Sequence, residues 1–101
     1  MKARHYGVHY VYGISSQPSI QQVVTVDKGL VRDMCSLTEE QPFTEWMGGA
    51  IVLSDQAEAR VILPASMQEV VTKLETFKGK YAWYITAEEV ASGIVRTLHR
   101  L

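Results

Sequence analysis

The run His5-Tyr6-Gly7-Val8-His9-Tyr10-Val11-Tyr12-Gly13 limits the folds open to this chain more than any other segment. Two glycines among aromatic and β-branched residues disfavour a helix and favour a strand. On a strand, Tyr6, Val8, Tyr10, Tyr12 and then Ile14 share one face, and His5, Gly7, His9, Val11 and Gly13 share the other. One face is an aromatic ladder and the other is nearly bare backbone with two imidazoles. Such a strand serves either as half of a sheet core or as a flat platform for a ligand, and the alternation is compatible with both.

More β structure is expected after it. Ser15 to Ser19 has loop composition, and Val23-Val24-Thr25-Val26 favours a strand over residues 20–26. Asp27-Lys28-Gly29 reads as a turn that makes residues 30–37 a hairpin partner. Leu30, Val31, Met34 and Cys35 also fall on one helical face, which keeps a helix there as the competing reading. Residues 50–53 and 60–63 are short apolar runs consistent with two further strands. Between them, Thr38-Glu39-Glu40-Gln41 has the form of a capping box, but Pro42 pushes Gln41 away from helical geometry. At most one turn is expected over 43–47 before Gly48-Gly49 ends it.

The C-terminal third predicts helix, strand, helix. Ser66-Met67-Gln68-Glu69 is a capping box, followed by Met67, Val70, Val71, Leu74 and Phe77 on one helical face. Lys78 complements the carbonyl end, and Gly79 is a natural stop. Tyr81 to Ile85 reads as a strand. Thr86-Ala87-Glu88-Glu89 opens a second helix carrying Val90, Ile94, Leu98 and Leu101 on one face. Gly93 falls inside that helix, where glycine costs about 1 kcal/mol relative to alanine, and close packing within the chain would offset the cost. The expected fold is a two-layer α+β domain over residues 1–101, with a mostly antiparallel sheet of four to five strands and the two C-terminal helices on one face.

At 101 residues the chain suits one domain with one modest core. The single cysteine, Cys35, excludes an internal disulfide and suits a reducing compartment, where a buried inert thiol is the default. No apolar run reaches the length of a membrane span, and the N-terminus lacks the apolar stretch of a signal peptide, so a cytoplasmic protein is expected. Net charge is −1, which advertises neither nucleic acid nor membrane. Its distribution is more telling. Residues 33–59 hold Asp33, Glu39, Glu40, Glu45, Asp55 and Glu58 with no lysine or arginine, between flanks that are net basic.

No cofactor or metal is implied. His5 and His9 are four apart on a strand, roughly 13 Å, too far for one zinc ion whose ligand nitrogens lie within about 2.1 Å. There is no nucleophile elbow, Gly48-Gly49 lacks the ending of a phosphate loop, and Glu39-Glu40 and Glu88-Glu89 are adjacent rather than facing pairs, so no enzyme is expected. The segment Pro42-Phe43-Thr44-Glu45-Trp46-Met47 places two aromatics and a methionine within the acidic connection. Tryptophan and tyrosine dominate interface hot spots. Glu39, Glu40, Phe43, Glu45 and Trp46 are therefore the candidate contacts with a protein partner that has a basic surface. Phe43 and Trp46 could instead fold inward and cap the core. A compact inhibitor or adaptor, of the kind carried by phages and mobile elements, fits this size and inventory. The alternative is single-stranded nucleic-acid binding, with Tyr6, Tyr10 and Tyr12 as stacking rings and Arg4 at the strand end. Homodimerisation through an edge strand or the Gly93 face is compatible with either.

Overall fold

The computed structural model describes residues 3–36 and 44–101. The N-terminal region is a meander of β1 (Arg4–Tyr12), β2 (Ser19–Asp27) and β3 (Leu30–Ser36). Asp27 pairs with Leu30 across a two-residue turn in which Lys28 and Gly29 have φ of +54° and +78°. This is the left-handed pair that matches strand twist in a hairpin. It settles residues 30–36 as strand. Leu37 lies outside the described residues.

The chain then returns to the other side of β1 as two short parallel strands placed end to end, β4 (Thr44–Trp46) and β5 (Ala50–Ser54). Thr44 pairs with His5 and Ala50 with Tyr10, so six steps on this side match five on β1, and one residue is extra. Gly48 and Gly49, at φ of +67° and +63°, absorb it. The expected turn over 43–47 is thus replaced, at Thr44–Trp46, by a strand, and the glycine pair interrupts pairing rather than ending a helix.

Next come β6 (Ala65–Ser66), α1 (Met67–Leu74), β7 (Tyr81–Ile85), α2 (Ala87–Ser92), β8 (Ile94–Val95) and β9 (His99–Arg100). The main sheet has seven strands in the order β3-β2-β1-β5-β7-β9, with β4 beside β1; β6 and β8 form a separate pair. Most pairings are antiparallel, as expected, but the strand number exceeds four to five. No strand forms over 60–63. That segment packs Val61 and Leu63 under the helices as irregular chain. The sheet curls until its ends nearly meet, and Val31 N–H donates to the Lys80 carbonyl at 2.8 Å.

Curling divides the apolar interior in two. Inside the curl lie Tyr6, Val8, Val11, Val24, Ile51, Leu53 and Tyr84. On the opposite face Val52, Trp83 and Ile85 pack beneath Val70 and Leu74 of α1 and Val95 of β8. Val11 joins Tyr6 and Val8, whereas Tyr12 packs with the helix-side group. The alternation read from the sequence therefore changes phase. Its cause is a bulge: the His9 and Tyr10 N–H groups both donate to Gly49 O, at 3.1 and 3.2 Å, and Gln21 of β2 has φ of +48°.

Both helices are shorter than the apolar periodicity predicts. The Ser66 hydroxyl caps α1 by accepting from Glu69 N–H, but α1 ends with Glu75 as its C-cap, leaving Phe77 outside. Around α2 the full capping box forms, and Gly93 is its C-cap at φ +79°. Nothing lies within 4 Å of a Cβ built on Gly93, so a left-handed cap, not close packing, accounts for that glycine. Glu89 reinforces the stop. Its Oε1 accepts from Thr86, while Oε2 accepts from the Arg96 and Thr97 N–H groups at 2.7 and 3.1 Å. A continuing helix would have used those two N–H groups itself. Ile94, Leu98 and Leu101 therefore sit on β8 and the chain around β9 rather than on one helix.

Candidate functional site

The break between β4 and β5 builds the most distinctive surface. Trp46 pairs in register with Gly7, and a Cβ on Gly7 would stand 2.7 Å from the indole Cε3. The missing side chain is what lets the indole lie against β1. The ring remains 49% exposed and meets His9 edge to face, with centroids 5.0 Å apart and planes at 90°. Tyr10, 38% exposed, continues the row, and Ile20 stands opposite it on β2 at 65% exposure. Beside them a groove of about 340 Å³ is lined by His9, Tyr10, Gly49 and, from α2, Ala87, Val90 and Ala91. Gly49 holds the groove floor close to the start of α2, since a Cβ there would collide with the Ile85 carbonyl oxygen and stand 3.0 Å from Ala87 N.

The break is fastened from three sides. Met47 N–H donates to Gly7 O at 2.9 Å, the Gly49 carbonyl takes two donors from β1, and the Tyr84 hydroxyl donates to Met47 O at 2.8 Å. Burial raises the pKa of Tyr84, with the Glu89 carboxylate adding to the shift, so the phenol stays protonated as that donor. Burial also raises Tyr12, helped by Tyr10 and Glu75. His5 is engaged elsewhere, its Nδ1 2.8 Å from Thr25 Oγ1. Among the described residues no group of three or more His, Cys, Asp or Glu side chains could hold a metal ion.

The residues singled out in the sequence are distributed unevenly. Trp46 and Glu45 are both exposed on β4, but Glu45 pairs with Tyr6 and Trp46 with Gly7, so their side chains leave the strand on opposite faces. Glu39, Glu40 and Phe43 lie outside the described residues. The three tyrosines of β1 do not make one platform. Tyr6 is 7% exposed inside the curl, Tyr12 is half-buried against the helix-side core, and Tyr10 is the one of the three that is exposed. Arg4 is exposed at the start of β1. Cys35 is exposed rather than buried. Ile20, Val90 and Ala91 were not legible as site residues, because nothing local links them to Trp46; the unusual pair Gly48-Gly49 was the available signal.

Gly7→Ala tests this packing. The new methyl must push the half-exposed indole off β1, so a red-shifted, more quenchable Trp46 emission is expected, with a stability loss of only about 1 kcal/mol because the ring can move outward. Trp83 is buried, with its Nε1 donating to Gln56 O at 3.0 Å, and supplies an unchanged internal reference. An unaltered emission would show that the indole does not rest on Gly7.

No family model matches the sequence, no curated protein matches it, and no solved structure matches the chain. No helix among the described residues is long and apolar enough to cross a membrane.

Proposed function

We propose that this chain is a small non-enzymatic protein-binding module, an inhibitor or adaptor of cytoplasmic character, that docks on a basic protein surface through β4 and the groove beside it. The observation that carries this reading is the half-exposed Trp46, seated on Gly7 and held by His9 next to a groove. A half-exposed tryptophan on a strand with one unpaired edge has the features of an interface anchor, a large aromatic contact area with few rotatable bonds. Among the described residues β4 pairs only with β1, which leaves its other edge available to an added strand. Partner polarity rests on the sequence: Glu39, Glu40 and Glu45 precede Trp46 in a stretch without lysine or arginine from residue 33 to 59, with Glu45 on the face of β4 opposite the indole. Glu88, exposed beside groove-lining Ala87, adds to that sign.

Trp46→Ala is expected to weaken partner binding at least tenfold, about 1.4 kcal/mol or more, while shifting the thermal midpoint little. Parallel capture from host lysate with the parent and the variant, nuclease-treated and at two salt concentrations, reads this directly. A nuclease-resistant protein retained by the parent, lost by Trp46→Ala and weakened by salt supports the reading. Capture that Trp46→Ala leaves intact, or a variant that unfolds because Trp46 belongs to the core, removes it.

A further inference from the structure

A second surface lies where the curled sheet closes, and it shares no lining residue with the groove beside Trp46. A groove of about 380 Å³ runs along the seam between β3 and the approach to β7. Arg32, Lys78 and Lys80 line it over Val31 and Met34, with Asp33 the acid among its lining residues. Among the described residues none of these three cations has an ion-pair partner; the pair that does form is Lys73–Glu69.

Two of those cations are flanked by aromatic rings in Phe77-Lys78-Gly79-Lys80-Tyr81. Phe77 is 65% exposed, and Lys78 Nζ stands 5.3 Å from its ring centroid. The Tyr81 ring has Lys80 Nζ at 5.6 Å and Arg100 Cζ at 4.4 Å. The loop that presents them is fixed. Thr76 N–H donates to Leu53 O and Lys78 N–H to Gly13 O, both at 2.8 Å, and Gly79 N–H to Thr76 O at 2.9 Å. Gly79 itself lies so near β5 that a Cβ would stand 2.6 Å from Ser54 Cα. Phe77 is thus an apolar ring left exposed on a pinned loop immediately before Lys78, outside both apolar clusters.

We propose that this seam binds single-stranded nucleic acid, with Arg32, Lys78 and Lys80 meeting the phosphate backbone and Phe77 stacking on a base. Cations alone would equally suit an acidic peptide. The exposed ring decides for nucleic acid, because base faces stack on aromatic side chains whatever the sequence, and cations beside the ring track the phosphates. On this proposal the stacking ring is carried by a loop, not by the strand-borne tyrosines of the alternative sequence reading. Together with the Trp46 surface, it would let the module bridge a nucleic acid and a protein.

Fluorescence anisotropy of a labelled oligothymidine of about 12 nucleotides, titrated with the full chain, tests this. Three phosphate contacts on a single strand give a log–log salt slope of about −2. Lys80→Gln is expected to reduce that slope by about 0.7, and Arg32→Gln reads the same groove from β3 with the same outcome. Phe77→Ala is expected to weaken binding about fivefold or more at every salt concentration. Phe77 is packed in neither core, so this variant should keep the parent's thermal midpoint. Trp46→Ala should bind the oligonucleotide as the parent does, which keeps the outcome separate from that of the protein-docking reading. No saturable binding by the parent at about 50 mM salt, or a Phe77→Ala variant that binds unchanged, overturns the proposal. Competition by polyglutamate as effective as by unlabelled oligonucleotide would overturn it in favour of an acidic protein ligand.

Discussion

Gly49→Ala is expected to destabilise the fold by about 3–4 kcal/mol, against about 1 kcal/mol for Gly93→Ala. Both glycines have φ in the left-handed region, +63° and +79°, so both substitutions carry the strain of an L-residue there. They differ in space. At Gly93 a new Cβ meets nothing within 4 Å, so backbone strain is the whole cost. At Gly49 it collides with the Ile85 carbonyl oxygen and crowds the Thr86–Ala87 peptide, backbone that β7 and the α2 cap hold in place. Relief requires β5 and β7 to separate, and that pulls the Gly49 carbonyl away from the His9 and Tyr10 N–H groups it serves. Urea unfolding of the two variants beside the parent measures the difference. Equal costs would mean that the β4–β5 break is not packed against the start of α2.

Glu89→Gln is expected to cost about 2–3 kcal/mol at neutral pH, and the gap between parent and variant should close in acid. One carboxylate serves two tasks here: Oε1 completes the capping box at Thr86, and Oε2 anchors the Arg96 and Thr97 N–H groups that lead into β9. A glutamine can keep one acceptor, but its NH₂ then faces donors. Burial disfavours the charged form of Glu89, and the hydrogen bonds from Arg96, Thr97 and Thr86 outweigh it, leaving the carboxyl below its ordinary value of 4.5. With the folded pKa the lower one, the unfolded chain takes up the proton first as pH falls. The contribution of Glu89 is therefore complete above the unfolded pKa and is lost as pH drops through the folded one. Thermal midpoints of parent and variant between about pH 7 and pH 3 measure this. A gap that stays constant across that range would show that the carboxylate charge does not hold the turn.

Elements specified by local chemistry were legible in the sequence. Both helix starts follow from side-chain caps at Ser66 and Thr86, and the β2–β3 hairpin from Lys28-Gly29, because each depends on residues within one turn of chain. What was not legible depended on distant partners. The apolar spacing of Val90, Ile94, Leu98 and Leu101 satisfied a helix, yet Gly93 capped it and Glu89 captured the N–H groups beyond. The phase change on β1 needs Gly49, forty residues away from His9, to place one carbonyl against two N–H groups. Tyr6 and Tyr10 look alike as letters, and that phase change separates them into a core residue and a surface one. The residue type and acidic neighbourhood of Trp46 make it a candidate from sequence alone. Its seat on Gly7 and its groove come from the parallel pairing of β4, which no local pattern announces. Phe77 read as one more core position until α1 ended before it.

The most direct measurement is hydrogen–deuterium exchange on the partner complex captured by the parent chain, compared with the chain alone. Docking through β4 and its groove should slow exchange at residues 44–49 and 87–91, and leave 76–80 at the rate of the free protein. Protection that leaves 44–49 unchanged and appears elsewhere would contradict the central claim that Trp46 and the β4–β5 break form the protein-binding surface.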